Sequence, residues 1–341
     1  MITRLLMDAG PLARQSGSGA YVLPLWRDQV GSLGDLPAYL RTLPPEVEVI
    51  VVDGSPGAVF ASHAALMPDG VTHIPVDPGL RTTMGKVGGV LTGIRQAACD
   101  RVVIADDDVR YTAANLRRML VLLEGYDVVR PQNYFQPAPW HALWDSSRSL
   151  LNRAVGDGDW PGTLGVRRQF LLDAGGYRGD VMFENLELVR TVIAAGGREL
   201  VARDLFVARR PPSTRQFWSQ RVRQAYDELA RPWRMAFFLA LLPLLLAATL
   251  AGGWPVPLAI ALLGIATAEA GRRRDGAARH FSGAASLFAP AWLLERSVAA
   301  WLAIGSRVFL GGAAYRGSRL RDAATPLRQL RARLDPRRGI A

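Results

Sequence analysis

Three consecutive aspartates, Asp106-Asp107-Asp108, follow the apolar run Arg101-Val102-Val103-Ile104-Ala105. Adjacent carboxylates repel one another unless a cation or a basic side chain is near. At a strand end alternate residues point the same way, so Asp106 and Asp108 can reach one ligand. Hard oxygen donors suit Mg2+ or Mn2+, which one or two carboxylates hold together with substrate phosphates. A divalent ion so held neutralises the charge that develops on a diphosphate leaving group. Taken alone, the triplet describes a solvated acidic turn better than a metal site.

Other motifs accompany it. Glu48-Val49-Ile50-Val51-Val52 leads into Asp53-Gly54-Ser55, and Gly85-Lys86-Val87-Gly88-Gly89 contains the sole lysine of the chain. In order and spacing these segments, with Ile104 to Asp108, resemble the family 2 glycosyltransferases over roughly residues 20–230. The resemblance implies an α/β fold of the GT-A type (Rossmann-like), a mostly parallel sheet flanked by helices. It implies a nucleotide-sugar donor, UDP- or GDP-linked, and a divalent metal, Mg2+ or Mn2+, on Asp106 and Asp108. Asp53 matches the residue that contacts the nucleotide base, Lys86 a lysine near the nucleotide, and Asp107 a base-contacting or supporting residue. Gly89 and Thr92 stand where the family pattern has Ala and Asn.

Two further matches concern the acceptor side. Phe183-Glu184-Asn185-Leu186-Glu187-Leu188 is similar to the acidic segment that supplies the general base in membrane members. A carboxylate is needed there because a sugar or lipid hydroxyl is a poor nucleophile at neutral pH. Asn185 stands at the base position and cannot take a proton, which leaves Glu184, the preferred base, or Glu187. Gln220-Arg221-Val222-Arg223-Gln224 is similar to the segment that closes over the diphosphate, with Gln224 in place of tryptophan. Gln220, Arg221 and Arg223 are therefore expected at the nucleotide sugar, where guanidinium forks pair with phosphate oxygens. The resemblance is to ceramide glucosyltransferase-like and other lipid-linked members, so the expected reaction is sugar transfer, with inversion, to a lipid or glycolipid acceptor. Asn185 and Gln224 also fit an alternative, a catalytically degenerate membrane scaffold. Nucleotidyl transfer is disfavoured, because Gly17-Ser18-Gly19 has no basic partner for a phosphate loop.

These residues need strands that end where they stand. Residues 21–25, 47–52, 73–76 and 101–105 read as strands, and 31–43, 85–98 and 113–124 as helices. That alternation indicates a parallel sheet with ligands at the carboxyl ends of its strands. Further on, 126–129 and 200–206 read as strands, 139–154 and 184–195 as helices, and 157–165 as a loop.

The expected organisation is a catalytic domain over 1–230, a membrane region over 231–310 and a basic tail over 311–341. Met235 to Gly253 carries no charge and is long enough to span a bilayer. A second apolar run reaches residue 270 and meets Arg272-Arg273-Arg274, which fits a hairpin over about 235–253 and 254–270 with both ends cytoplasmic. Residues 284–304, broken by Glu295 and Arg296, read as an amphipathic helix or a third span. The formal charge is +11, and residues 271–341 hold 14 arginines against 4 acids. This asymmetry points to an anionic membrane face and away from nucleic acid. One cysteine, Cys99, excludes an internal disulfide. The first fifteen residues lack an apolar leader, so the expected location is the cytoplasmic membrane, multi-pass, with the catalytic domain facing the cytoplasm. The tail from Tyr315 to Arg338 reads as a surface helix or a disordered arm.

Overall fold

The structure is a computed structural model that describes residues 18–156 and 158–334. The N-terminal stretch read for a leader, Gly17, Asp157 and residues 335–341 of the tail lie outside the described residues. The strands are β1 (Gly19–Leu25), β2 (Val47–Asp53), β3 (Val71–Pro75), β4 (Arg101–Ala105), β5 (Val109–Arg110), β6 (Val128–Phe135), β7 (Thr163–Arg167) and β8 (Glu199–Arg209). They form one sheet in the order β3-β2-β1-β4-β7-β6-β8-β5. Between them lie α1 (Leu36–Leu40), α2 (Gly57–Ala64), α3 (Gly85–Gln96), α4 (Ala113–Leu122), α5 (Trp140–Val155), α6 (Arg168–Asp173) and α7 (Glu184–Ala194).

Alternation along the strands sorts the core into two faces. Tyr21, Leu23, Val49, Val51, Val103 and Ala105 pack with α1 and α4 on one side. Val22, Ile50, Val52, Val102 and Ile104 pack with α3 on the other. β3, β2, β1 and β4 are parallel, as expected, but β7 runs antiparallel to both β4 and β6. The sheet is therefore mixed. The α5 connection does not carry the chain back across the sheet, so β7 starts at the edge where β6 and β4 end. That start brings Gly162 to the aspartates.

Two boundaries differ from expectation for local reasons. α1 is only five residues long, because Gly34 takes φ +61° just before it and Pro37 fits only the first turn of a helix. β6 continues through Pro131, where a register irregularity between Pro131 and Gln132 absorbs the proline's missing donor.

After β8 come α8 (Thr214–Ser219), α9 (Arg221–Tyr226), a 3-10 turn over Asp227–Ala230, α10 (Pro232–Gly252), α11 (Pro255–Arg272), α12 (Gly283–Leu287) and α13 (Ala289–Phe309). α10 and α11 form a helical hairpin, and α10 alone among the described helices is long and apolar enough to cross a membrane. The three long helices are not a separate body. α11 lies against α5 so closely that a Cβ on Gly271 would meet Leu150 O at 1.9 Å. The buried face of α13, including Trp292 and Ala300, belongs to the same core cluster as α3.

The tail is neither a plain surface helix nor an arm. β9 (Ala313–Tyr315) and β10 (Ser318–Leu320) make a hairpin, followed by α14 (Leu327–Leu334). Arg316 and Gly317 at its tip both have positive φ, 43° and 78°, the backbone that a two-residue hairpin turn requires. The segment is tied down by Thr325 N–H, which donates to Glu187 Oε2 at 2.6 Å.

Candidate active site

A cavity of about 900 Å3 opens at the carboxyl ends of β1, β2 and β4. Asp106 to Asp108 leave β4 there, and Gly162 closes over them, with its carbonyl accepting from Asp106 N–H at 2.8 Å. A Cβ at position 162 would lie 2.7 Å from Asp106 Oδ2, so a side chain there would push the Asp106 carboxylate aside. α3 and α7 both direct their first turns at the cavity. Lys86, on α3, donates to Asp106 Oδ1 at 2.7 Å and to Glu184 Oε1 at 2.6 Å. Burial opposes the ammonium charge, but the two carboxylates outweigh it and hold Lys86 above its ordinary range. Glu184 opens α7, where the helix dipole favours an acid.

The sequence reading missed Arg209, at the end of β8. Its Nε donates to Asp108 Oδ2 at 2.8 Å, and a terminal nitrogen lies 3.3 Å from Asp106 Oδ2. Arg27, after β1, pairs with Asp107. The three aspartates are thus divided among three cations. Burial acts on Asp106, yet Lys86 and Arg209 pull its pKa below the usual range. Asp108 goes the other way, raised by burial and by its aspartate neighbours against Arg209.

Among the described residues no group of three or more His, Cys, Asp and Glu forms a metal cluster. The Asp106 and Asp108 pair still fits a hard divalent ion. Asp108 Oδ1 is buried without a hydrogen-bond partner, and two carboxylates suit an ion that completes its shell with substrate oxygens.

Several expected site residues stand elsewhere or act differently. Asp53 borders the cavity, but its carboxylate has 0% exposure. It accepts from Ser55 N–H at 2.9 Å, and His63 Nδ1 and His73 Nε2 lie 2.7 and 3.2 Å from Oδ2. These contacts outweigh burial and lower its pKa. The Asp53 carboxylate is therefore taken up by Ser55, His63 and His73 at the edge of the cavity. Glu187 is wholly buried, turned towards Thr325, and does not border the cavity. Arg221 is turned inward as well, with forked bonds to Asp145 at 2.6 and 3.1 Å. Gln220 and Arg223 do line the cavity. Arg223 has no ion pair among the described residues and lies over the Tyr315 ring at 5.6 Å. Asn185 borders the cavity, and its Nδ2 donates to Pro161 O at 2.9 Å.

Two more features escaped the sequence reading. Asp227, four residues after Arg223, lines the cavity and has a buried, unpartnered Oδ1. Burial pushes its pKa up to about 7, with Glu184 adding to the rise and Arg223 opposing it. The tail hairpin also reaches the site, with the Arg316 guanidinium 3.7 Å above the Trp26 ring. The Arg223/Asp227 spacing is a helical i, i+4 pair and was readable as such; nothing local announced Arg316.

No family model matches the sequence, and no curated protein matches it. Among solved structures, the chain is similar to a mannosyltransferase, PcManGT, from Pyrobaculum calidifontis in complex with GDP-Man and Mn2+. The identity is 18%, covering 84% of this chain and 87% of that one, with a TM-score of 0.47. TarS of S. aureus (residues 1–349) is 14% identical over 61% of this chain and 64% of that one, with a TM-score of 0.41. Glucosyl-3-phosphoglycerate synthase from Mycobacterium tuberculosis, solved with Mn2+, UDP and glucosyl-3-phosphoglycerate, is 17% identical. That match covers 59% of this chain and 75% of that one, with a TM-score of 0.40.

Proposed function

We propose that the chain is a metal-dependent, inverting glycosyltransferase. It would move a sugar from a UDP- or GDP-linked donor to a lipid or membrane-proximal hydroxyl. The observation that carries the reading is the carboxylate pair Asp106/Asp108 at the strand ends, held by Lys86 and Arg209 and bordered by Arg223, which has no ion pair among the described residues.

In this reading Asp106 and Asp108 hold the Mg2+ or Mn2+, which when bound neutralises the charge growing on the leaving diphosphate. Arg223 and Gln220 close on the diphosphate oxygens, and Lys86 keeps Asp106 and Glu184 in position. Trp26, Arg27 and Arg316 border the nucleotide end. Bond formation joins the acceptor oxygen to the anomeric carbon as the carbon–oxygen bond to the diphosphate breaks. The electron pair leaves with the diphosphate, and the acceptor proton passes to a carboxylate. Glu184 and Asp227 both border the cavity. Glu184 is committed to Lys86 at 2.6 Å, whereas Asp227, with its pKa near 7 and a free oxygen, is suited to accept a proton at neutral pH. We assign the base to Asp227.

The lipid side of the proposal rests on α10. Its 21 residues extend about 31 Å at 1.5 Å each, close to the thickness of a bilayer core. Trp233 is 90% and Leu250 89% exposed at opposite ends of it. A hairpin of α10 and α11 in the cytoplasmic membrane would set the cavity at the interface, facing the cytoplasm. The alternative, a degenerate scaffold, draws on Asn185, whose amide stands at the expected base position. Incubation with a panel of UDP- and GDP-sugars, Mn2+ and membrane lipids separates the two. The enzyme releases nucleotide in an acceptor-dependent way; the scaffold releases none with any donor.

A further inference from the structure

The proposed reaction leaves Glu187 without a part. It is fully buried on α7, one turn after Glu184. Its Oε2 accepts from Thr325 N–H at 2.6 Å, and its Oε1 is buried without a hydrogen-bond partner. A buried carboxylate so sparsely bonded is costly, and an apolar side chain of similar size often serves stability as well. What the carboxylate adds over a leucine is direction, because it fixes one backbone N–H of the tail.

The other polar groups of Thr325 are held too. Arg178 donates to its Oγ1 at 2.9 Å and Arg190 to its carbonyl at 3.0 Å. Both guanidiniums feel the Glu187 charge. The strip before Thr325 is gripped in the same way. Met182 and Phe183 donate backbone N–H groups to Asp322 O and Ala323 O at 2.9 and 2.7 Å, and Tyr226 Oη donates to Arg321 O at 2.6 Å. These partners stand next in sequence to Glu184 and Asp227, which border the cavity.

Upstream of the strip, the β9–β10 hairpin is pinned at its root, where Gly312 N–H donates to Ser306 O at 3.1 Å. With root and exit both fixed, the tip is aimed at the cavity wall. There Arg316 lies 3.7 Å over the Trp26 ring, and a Cβ on Gly85, which opens α3, would meet Arg316 Nη1 at 3.3 Å. Arg316 has no ion pair among the described residues, so its guanidinium is available to an anionic or aromatic ligand.

We propose that Glu187 is a positioning residue for donor binding, which acts through Thr325 to seat the tail hairpin so that Arg316 closes the nucleotide end of the cavity. The proposal rests on the transferase reading and adds to it a wall of the donor site contributed by the tail.

The test uses the full chain in dodecyl maltoside with Mn2+. Calorimetry measures binding of UDP and of GDP, and hydrogen exchange follows the peptide 313–325. Glu187→Leu should speed exchange of that peptide and leave exchange in β2 and β4 unchanged. It should weaken nucleotide binding about two- to thirtyfold, the range expected for loss of the Arg316 contact. Arg316→Ala should weaken binding by a like factor, and the double variant no further than either change alone, because Glu187 acts through Arg316. Glu187→Gln keeps an acceptor for Thr325 N–H and should recover most of the affinity. If Glu187→Leu does not fold, Arg178→Met, at a partly exposed position, releases Thr325 Oγ1 and takes its place in the cycle. The proposal is overturned if the 313–325 peptide exchanges as in the parent, if a loosened tail leaves nucleotide affinity unchanged, or if the two losses multiply in the double variant. A parent that binds neither nucleotide would sink the transferase reading and this proposal with it, whereas parental binding that Glu187→Leu does not disturb overturns this proposal alone.

Discussion

Replacing Asp227 by asparagine should stabilise the fold and disable transfer. In the native chain burial raises the Asp227 pKa from 3.8 to about 7. Between those two pH values the folded state keeps a proton that the unfolded state has lost, so stability falls as pH rises through this window. Below about pH 4 both states are protonated and no penalty exists. Above pH 7 the penalty is complete, on the order of 4 kcal/mol at 1.36 kcal/mol per pH unit. Because the residue is only partly buried, solvent screening trims this to roughly 2–4 kcal/mol. Asparagine carries no charge at any pH. Asp227→Asn should therefore match the parent in urea unfolding near pH 4 and exceed it by about 2–4 kcal/mol near pH 8. In the same preparation acceptor-dependent transfer should drop by about 10²–10⁴, the usual contribution of a general base, while nucleotide affinity is retained. Equal stability of the two proteins at pH 8, with transfer intact, would refute both the burial argument and the assignment of the base.

Other substitutions probe neighbouring parts of the account. Arg221→Met strands the buried Asp145 carboxylate and should cost about 3–5 kcal/mol in chemical denaturation; adding Asp145→Leu should recover much of that loss. Gly162→Ala drives a methyl towards Asp106 Oδ2, 2.7 Å away. It should weaken Mn2+-dependent nucleotide binding at least tenfold in calorimetry, with a stability loss of only about 1–3 kcal/mol. Arg316→Ala removes the guanidinium above Trp26 and should reduce nucleotide affinity by about 0.5–2 kcal/mol, read as a rise in Kd with the melting temperature nearly unchanged.

The parts of this site that were legible in the sequence share one property: the signal is local. β-branched runs ending in polar turns located β2 and β4, and with them Asp53 and Asp106 to Asp108. Glycines flanking Lys86 located the start of α3. What was not legible depends on partners distant in the chain. Arg221 and Arg223 are two residues apart on a short helix, and such neighbours face different ways; only Asp145, on α5, decides that Arg221 is the buried one. Glu187 lies one turn beyond Glu184 but is captured by the backbone of Thr325. Asp53 stands at a strand end as expected, yet His63 and His73 claim its carboxylate. The tail carried an arginine-rich composition and no hint that its hairpin returns to Trp26.

The central claim is that Asp106 and Asp108 form a metal-dependent seat for a nucleotide diphosphate. Titration of UDP and GDP into the purified full chain, with and without Mn2+, tests it most directly. The account predicts saturable binding of one nucleotide that requires Mn2+ and is lost in Asp106→Ala, while the variant keeps the parent's fold by circular dichroism. Nucleotide binding that is indifferent to Mn2+ and survives in Asp106→Ala would contradict it.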